Sequence, residues 1–357
     1  MNNLIIVGNG FDLAHGLRTS YLDFMKYLVN SHCKDRSICS NLFNLPEAID
    51  CYETLIKELN NNRETNQYGD DIPGIKVNLA KVLLHDFSLN NWSDIESRYF
   101  ELLRIIGTKD SYYYYNAKSL NIDFGLLKQY LQDYLLTQQS LGDSLNSYES
   151  LFSSLSNNYS LILNFNYTDT VERLYKGETA SSEILHIHGE LNHNINPIIF
   201  GFAADNEDIK ILVDKNDNEF LRNIKRHEYK RTNNEKRLTK YLDKTKDIRV
   251  TILGHSCGIS DKLILEQILN HKNIHSIRIL YYEDYESYFN SQINIYRIIR
   301  NNENFDKVVN FQDCCRMPQI TDDQTKNFSY LNDFLDKMRD EYRKGIRHIP
   351  EIHVASF

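Results

Sequence analysis

The feature that most restricts the fold lies at the start of the chain, where Leu4-Ile5-Ile6-Val7 runs directly into Gly8-Asn9-Gly10. A short apolar run with no polar alternation reads as a strand buried on both faces. Such strands belong to parallel sheets covered by helices, and a glycine turn at the carboxyl end begins the first strand-to-helix connection. Thr19 or Ser20 can cap the next helix, through Tyr21, Phe24, Met25 and Leu28.

Further strand-like runs follow late, at Ser160–Leu163, Ile184–His188, Ile198–Phe200, Arg249–Leu253 and Ile277–Tyr281, with a weaker one at Val308–Phe311. Helical spacing separates several of them, at Thr170–Tyr175, Phe220–Leu242, Asp261–Asn270 and Tyr288–Arg300. Between about 32 and 157 the texture is helical, in Leu42–Leu59, Ile75–Phe87, Trp92–Ile106 and Phe124–Leu136. The pattern predicts an α/β fold: a Rossmann-like, mostly parallel sheet with a large helical insertion. Residues 1–31 and 158–312 would form the nucleotide-binding domain, 32–157 the insertion, and 313–357 a C-terminal helical segment and tail. The insertion is expected to pack over the ligand side of the sheet. Residues 202–247, rich in charge and Asn, are expected to form an exposed helical excursion.

The net charge of -8 argues against general nucleic-acid coating. The six cysteines (Cys33, Cys39, Cys51, Cys257, Cys314 and Cys315) form no Cys-x-x-Cys pair and no zinc-finger spacing with His, so a reducing compartment and no metal are expected. Met1–Val7 lacks the basic flank of a signal peptide, and no apolar run nears the roughly 20 residues of a membrane span. A cytoplasmic protein is the expectation.

Ligands of such sheets sit beyond the carboxyl ends of the strands. Backbone N–H groups of Gly8-Asn9-Gly10 can face a phosphate, or the motif can be a tight turn and nothing more. On the ligand reading, Gly10→Val fills the phosphate's space and spares the fold. In Asn164-Phe165-Asn166-Tyr167-Thr168-Asp169, Asn166 can bind a ribose hydroxyl or orient water, while Asp169 can equally cap the next helix. Period-two alternation places His186 and His188 on one face, and Gly189 leaves room for substrate. The two histidines are candidates for a proton acceptor or for hydrogen-bonded structural roles. Gly254-His255-Ser256-Cys257-Gly258, with Asp261 beyond, suits a ribose or phosphate, and formally matches a hydrolase nucleophile elbow whose later Asp and His have no distinctive context. Trp92, Ser93 and Glu96 fit a stapled capping box, with a carboxylate on the pocket as the other reading. Lys225, Arg226, Lys230, Arg231, Lys236, Arg237 and Lys240 read as a solvated basic face.

From Leu4 to Tyr21 the sequence closely resembles the bacteriophage abortive-infection AbiH family. Trp92-Ser93-Asp94-Ile95-Glu96, Asn164–Thr168, His186–Gly189, Ile199-Phe200-Gly201 and Gly254-His255-Ser256 with Asp261 follow in that family's order, so the likeness runs from residue 4 to about 262. More distantly, the order is similar to sirtuin-like NAD-cleaving domains of antiphage effectors. This similarity implies a sirtuin-like sheet with NAD as substrate or ligand. Asn166 and His188 would be catalytic; Gly8, Asn9, Gly10, Asp12, Asn164, Thr168, Asp169, Gly254, Ser256 and Asp261 would bind the nucleotide. Asn9 stands where those domains have Ala, and Thr168 where they have Asp. The implied activity is NAD⁺ hydrolysis to ADP-ribose and nicotinamide. A non-catalytic nucleotide sensor gating a partner is the alternative, and an RNA- or DNA-directed toxin the third. Expected partners are a nucleotide ligand, a phage-derived trigger and further copies of the chain, with no membrane and no nucleic acid.

Overall fold

The computed structural model describes residues 2–42, 45–65, 92–108, 116–155, 160–203, 206–325, 331 and 333–337, with Leu79 and Leu83. Five strands, β1 (Asn2–Val7), β2 (Leu161–Asn164), β3 (Glu183–His186), β4 (Ile248–Leu253) and β5 (Ile274–Leu280), form one sheet in the order β3-β2-β1-β4-β5. All four pairings are parallel; Val7 pairs with Asn164 on one side and Leu253 on the other. The chain steps outward from β1 to β3, then returns past β1 to β4 and β5. That reversal puts a switch point between the carboxyl ends of β1 and β4, where α/β sheets bind ligands.

The strands carry apolar side chains on both faces because helices cover both. Leu4 and Ile6 pack on one side with α10 (Asn234–Lys244), α11 (Lys262–Leu269) and α12 (Tyr285–Ile299). Ile5 and Val7 pack on the other with α1 (Asn9–Ala14), α6 (Asn146–Leu155) and α7 (Thr170–Leu174), joined there by Met317, Leu331 and Phe334. The four apolar side chains of β1, Leu4 to Val7, are fully buried, each contributing about 1.5–3 kcal/mol. A separate apolar cluster is built from α2 (Tyr21–Lys34), α3 (Tyr52–Thr65), α4 (Trp92–Thr108) and α5 (Ala117–Gln139). Ser20 caps α2 by accepting the Asp23 N–H at 3.1 Å. Phe200, Phe202, Leu212, Phe220 and Ile224 pack in this helical cluster although they come from late in the sequence.

The observed elements depart from the sequence reading in several places. Ile198–Phe200 is buried but forms no strand; Ile199 N–H reaches the His188 carbonyl alone. Val308 makes only an isolated bridge to Ile277, and Phe311 opens a 3-10 turn. Leu42, Leu45 and Ile49 are buried from turns rather than from a helix. Residues 202–247 are no exposed excursion. They form α8 (Asn206–Val213), α9 (Lys225–Glu228) and α10, with Phe220, Ile224, Lys225, Tyr229, Leu238 and Leu242 buried. Of the run Ile75–Phe87 only Leu79 and Leu83, both buried, are among the described residues, and the side chains of Trp92 and Ser93 lie outside them.

The glycine turn holds two strand ends together. Gly8 N–H donates to Leu253 O and Gly10 N–H to Gly254 O, so these amides serve the backbone rather than a phosphate. A Cβ on Gly10 would lie 2.8 Å from the Gly254 Cα, and one on Gly254 would lie 2.4 Å from the Phe11 amide nitrogen. Gly10→Val therefore attacks the fold itself. Gly254→Ala combines that clash with a φ of +66, each effect worth on the order of 1–3 kcal/mol. Gly125→Ala on α5 meets nothing within 4 Å and should gain up to about 1 kcal/mol from helix propensity. Urea unfolding of the two variants should move in opposite directions; an undiminished Gly254→Ala would show that the strand ends are not in contact.

Candidate functional site

A cavity of about 530 Å³ opens at the switch point. Its wall includes Gly8, Asn9, Gly10 and Asp12 after β1, Asn166 and Thr168 after β2, His188 after β3, and Gly254, Ser256 and Asp261 after β4. Asn164 and Asp169 do not line it. Asn164 braces the turn instead, accepting the Asn166 N–H at 2.9 Å and donating to Thr168 O at 3.3 Å. Asp169 occupies the N-cap position of α7 and lies 3.9 Å from Arg173. Glu96 from α4 and Leu135 from α5 also line the cavity, so the helical cluster faces the carboxyl ends of the strands.

The deep wall is a buried ion cluster centred on a residue the sequence reading assigned to a solvated face. Lys225 is 2% exposed, and its Nζ lies 2.8 Å from Glu96 Oε2, 2.9 Å from Asp261 Oδ1 and 3.3 Å from Ser260 O. Glu96 Oε1 accepts the Gly201 N–H at 3.0 Å. Burial works against the Lys225 ammonium, but Asp261 and Glu96 outweigh it and hold its pKa above the usual lysine value. Burial likewise disfavours the Asp261 carboxylate, yet Lys225 and the neighbouring histidines hold it well below the usual range. Burial pushes Glu96 up to about 7, against the pull of Lys225. Elsewhere in the basic run, Lys230 pairs with Glu235 and Arg231 with Glu228 on the outside, their side chains 64% and 50% exposed. Charge pattern alone hides Lys225. Its spacing to Tyr229, four residues on and also buried, marks an inward helix face beside Ile224.

Two buried histidines, His188 and His255, line the cavity, while His15 and His186 are buried outside its wall; their ring nitrogens separate the four. His15 has Nδ1 2.7 Å from Phe11 O and Nε2 against the Tyr175 hydroxyl at 2.5 Å; burial pushes its pKa down to about 4. His186 lies 3.2 Å from Asn166 O through Nδ1 and 2.6 Å from Glu172 Oε1 through Nε2. His255 accepts the Cys257 N–H on Nδ1 at 2.9 Å and approaches Asp261 Oδ2 with Nε2 at 3.4 Å. All three have both nitrogens engaged. His188 differs: Nε2 meets the Tyr229 hydroxyl at 3.0 Å and Asp261 Oδ1 at 3.2 Å, while Nδ1 has no hydrogen-bond partner among the described residues. Burial lowers the His188 pKa, with Lys225 adding to the effect and Asp261 opposing it. Phe165 sets its edge against both His188 and His255, at 5.0 and 4.3 Å between centroids. β3 ends at His186, so strand alternation stops there and the two histidines find separate partners. The space beside Gly189 is filled by the Pro197 carbonyl, 2.1 Å from where a Cβ would sit, so it is not substrate room.

Asp12 is buried on the cavity wall, accepting the Thr168 hydroxyl at 2.6 Å, and burial pushes its pKa up to about 6. Asn166 donates Nδ2–H to Gly8 O at 3.1 Å, which turns its Oδ1 away from that carbonyl. Ser256 shows no elbow geometry: the left-handed residues are Gly254 and Cys257, and burial raises the Cys257 thiol to about 12. Among the described residues no three His, Cys, Asp or Glu side chains are arranged to hold a metal ion, and no helix is long and apolar enough to cross a membrane.

The strand order and the cavity at its switch point define an α/β protein of Rossmann type with a ligand-sized site. The family model described as bacteriophage abortive infection AbiH matches residues 4–283, and the chain belongs to that family. The match reaches past the expected end near 262 and takes in β1 from Leu4 and the whole of the other four strands. No curated protein matches the sequence.

Two outcomes test the site's electrostatics. Lys225→Gln strands two buried carboxylates and should cost ~3–5 kcal/mol, whereas Lys230→Gln should stay within about 0.5 kcal/mol. Equal urea midpoints for the two variants would return Lys225 to the surface. At His186 burial opposes the charged ring, but Glu172 outweighs it and raises the pKa above the ordinary value. The stabilisation is therefore complete below about pH 6.5 and is lost as pH rises through the folded-state value. The stability gap between wild type and Glu172→Gln should shrink with rising pH; a constant gap would mean the pair is not ionic.

Proposed function

We propose that this member of an abortive-infection family hydrolyses NAD⁺ to ADP-ribose and nicotinamide in the switch-point cavity. One observation carries the reading. Of the two buried histidines on the cavity wall, His188 and His255, only His188 has a ring nitrogen with no partner among the described residues. In the step, the bond between ribose C1′ and the nicotinamide nitrogen breaks, and nicotinamide leaves neutral with the electron pair. Water adds to C1′ and gives its proton to His188 Nδ1. Positive charge develops on the ribose as in other glycoside cleavages. The leaving group needs no protonation, so a single base suffices. Asn166, steered by the Gly8 carbonyl, would hold a ribose hydroxyl or the water through Oδ1. The acidic wall of Asp12, Glu96 and Asp261 suits a cationic ring and a cationic transition state.

A binding-only reading draws on Thr168. It stands where the resemblance expects Asp, and its hydroxyl is committed to Asp12. On that reading the cavity senses NAD or ADP-ribose and gates a partner. For the nucleic-acid toxin reading, the basic run offers one residue fewer, because Lys225 is held in the buried ion cluster.

His188→Ala should lower nicotinamide release by on the order of 10²–10⁴-fold while NAD⁺ still binds. His186→Ala should lose stability and keep turnover. Nicotinamide release at equal folded concentration decides between them. Full activity of His188→Ala would remove it as the base, and a wild type that binds NAD⁺ without releasing nicotinamide would favour the sensor.

A further inference from the structure

We propose that Lys225 is a positioning residue: by neutralising Asp261 from one side, it lets Asp261 orient His188 without charging it, and so makes Nδ1 the working nitrogen. The inference rests on the reading of His188 as the base and deepens it.

An imidazole next to a lone carboxylate tends to take a second proton, because the imidazolium is stabilised by the negative charge. A charged ring accepts no proton and is useless as a base. Here the carboxylate is shared. Asp261 Oδ1 lies 2.9 Å from Lys225 Nζ and 3.2 Å from His188 Nε2. Burial disfavours a second proton on His188, Asp261 favours it, and the ammonium offsets part of the Asp261 field. Lys225 is balanced in turn by Glu96 at 2.8 Å.

The same geometry selects the tautomer. An ionised carboxylate only accepts hydrogen bonds. Were Nε2 bare and accepting from Tyr229, its lone pair would face that of Asp261 at 3.2 Å. Nε2 therefore carries the hydrogen, shared between Asp261 Oδ1 and the Tyr229 oxygen. Nδ1 keeps its lone pair. His255 shares Asp261 through Oδ2, but its Nδ1 is taken by the Cys257 N–H, so the carboxylate serves two rings and leaves one basic nitrogen. The titratable groups facing His188 are Asp261, Lys225 and His255, with Tyr229 stacked alongside, Tyr167 tilted against it and Glu96 beyond the ammonium.

The test uses the full chain labelled with ¹⁵N-histidine, with the His188 signals assigned by their loss in His188→Gln. In wild type at neutral pH, His188 should show a protonated Nε2 and a bare Nδ1. The second variant is the double replacement Lys225→Gln with Glu96→Gln, which removes the cation together with its own counter-charge and leaves Asp261 alone with the two histidines. There the His188 midpoint should rise by about one pH unit or more, a tenfold or larger gain in proton affinity. The acid limb of nicotinamide release should move up with it, a shift that a purely structural role would not produce. An Nδ1–H tautomer in wild type overturns the proposal without any variant having to fold. An unmoved midpoint in a folded double variant overturns it as well. The spectrum needs no substrate, so the two readings fail separately. The expected tautomer and midpoint shift with no nicotinamide release would support the network and sink NAD⁺ cleavage. Release with the wrong tautomer would do the reverse.

Discussion

The close contact of two turns, Gly10 against Gly254, is the constraint from which the site follows. β1 and β4 are neighbours whose chains must turn at the same level, and no side chain fits between them. Glycine at both positions lets the backbone pass at hydrogen-bond distance, with Gly10 N–H on Gly254 O. The turn after β2 is fastened to the same point through Asn166 and the Gly8 carbonyl. The ends of β1, β2 and β4 are thus set relative to one another before any ligand is considered. His188 and Asp261 project from the chain just beyond this fixed platform.

On that platform the protein places an ion cluster in a low-dielectric setting. Buried ion pairs are seldom net stabilising compared with a well-packed apolar core. Their retention on a cavity wall fits chemistry better than stability. The helical cluster takes part directly, since Glu96 on α4 holds both Lys225 and the Gly201 amide. It is therefore a wall of the site and a source of its field as well as a cover.

Much of the architecture was legible because it is written in local pattern. The unbroken apolar run at Leu4–Val7 announced a strand buried on both faces, and the late strands showed the same composition. Residues just beyond the strand ends, such as His188 and Asn166, reach the cavity because the topology puts the carboxyl ends there. Long-range pairing left no such trace. Lys225 sits among other basic residues, and only Glu96 and Asp261, far away in sequence, show why it is inside. Ile198–Phe200 has strand composition, but its apolar side chains are satisfied by packing without a partner strand. The glycines at 8 and 10 were visible while their reason was not, because a glycine that admits a ligand and one that admits another backbone look alike in sequence.

The order in which the strands are made has a consequence for the cell that makes them. β1, β2 and β3 leave the ribosome first and can pair, which leaves the apolar edge of β1 open until β4 arrives more than eighty residues after β2 begins. The strand that closes that edge also brings Gly254 and, a few residues later, Asp261. A nascent chain, or one truncated anywhere before that point, holds Glu96, His188 and Lys225 with nothing to gather them. Synthesis therefore keeps the ion cluster unassembled until Asp261 is translated.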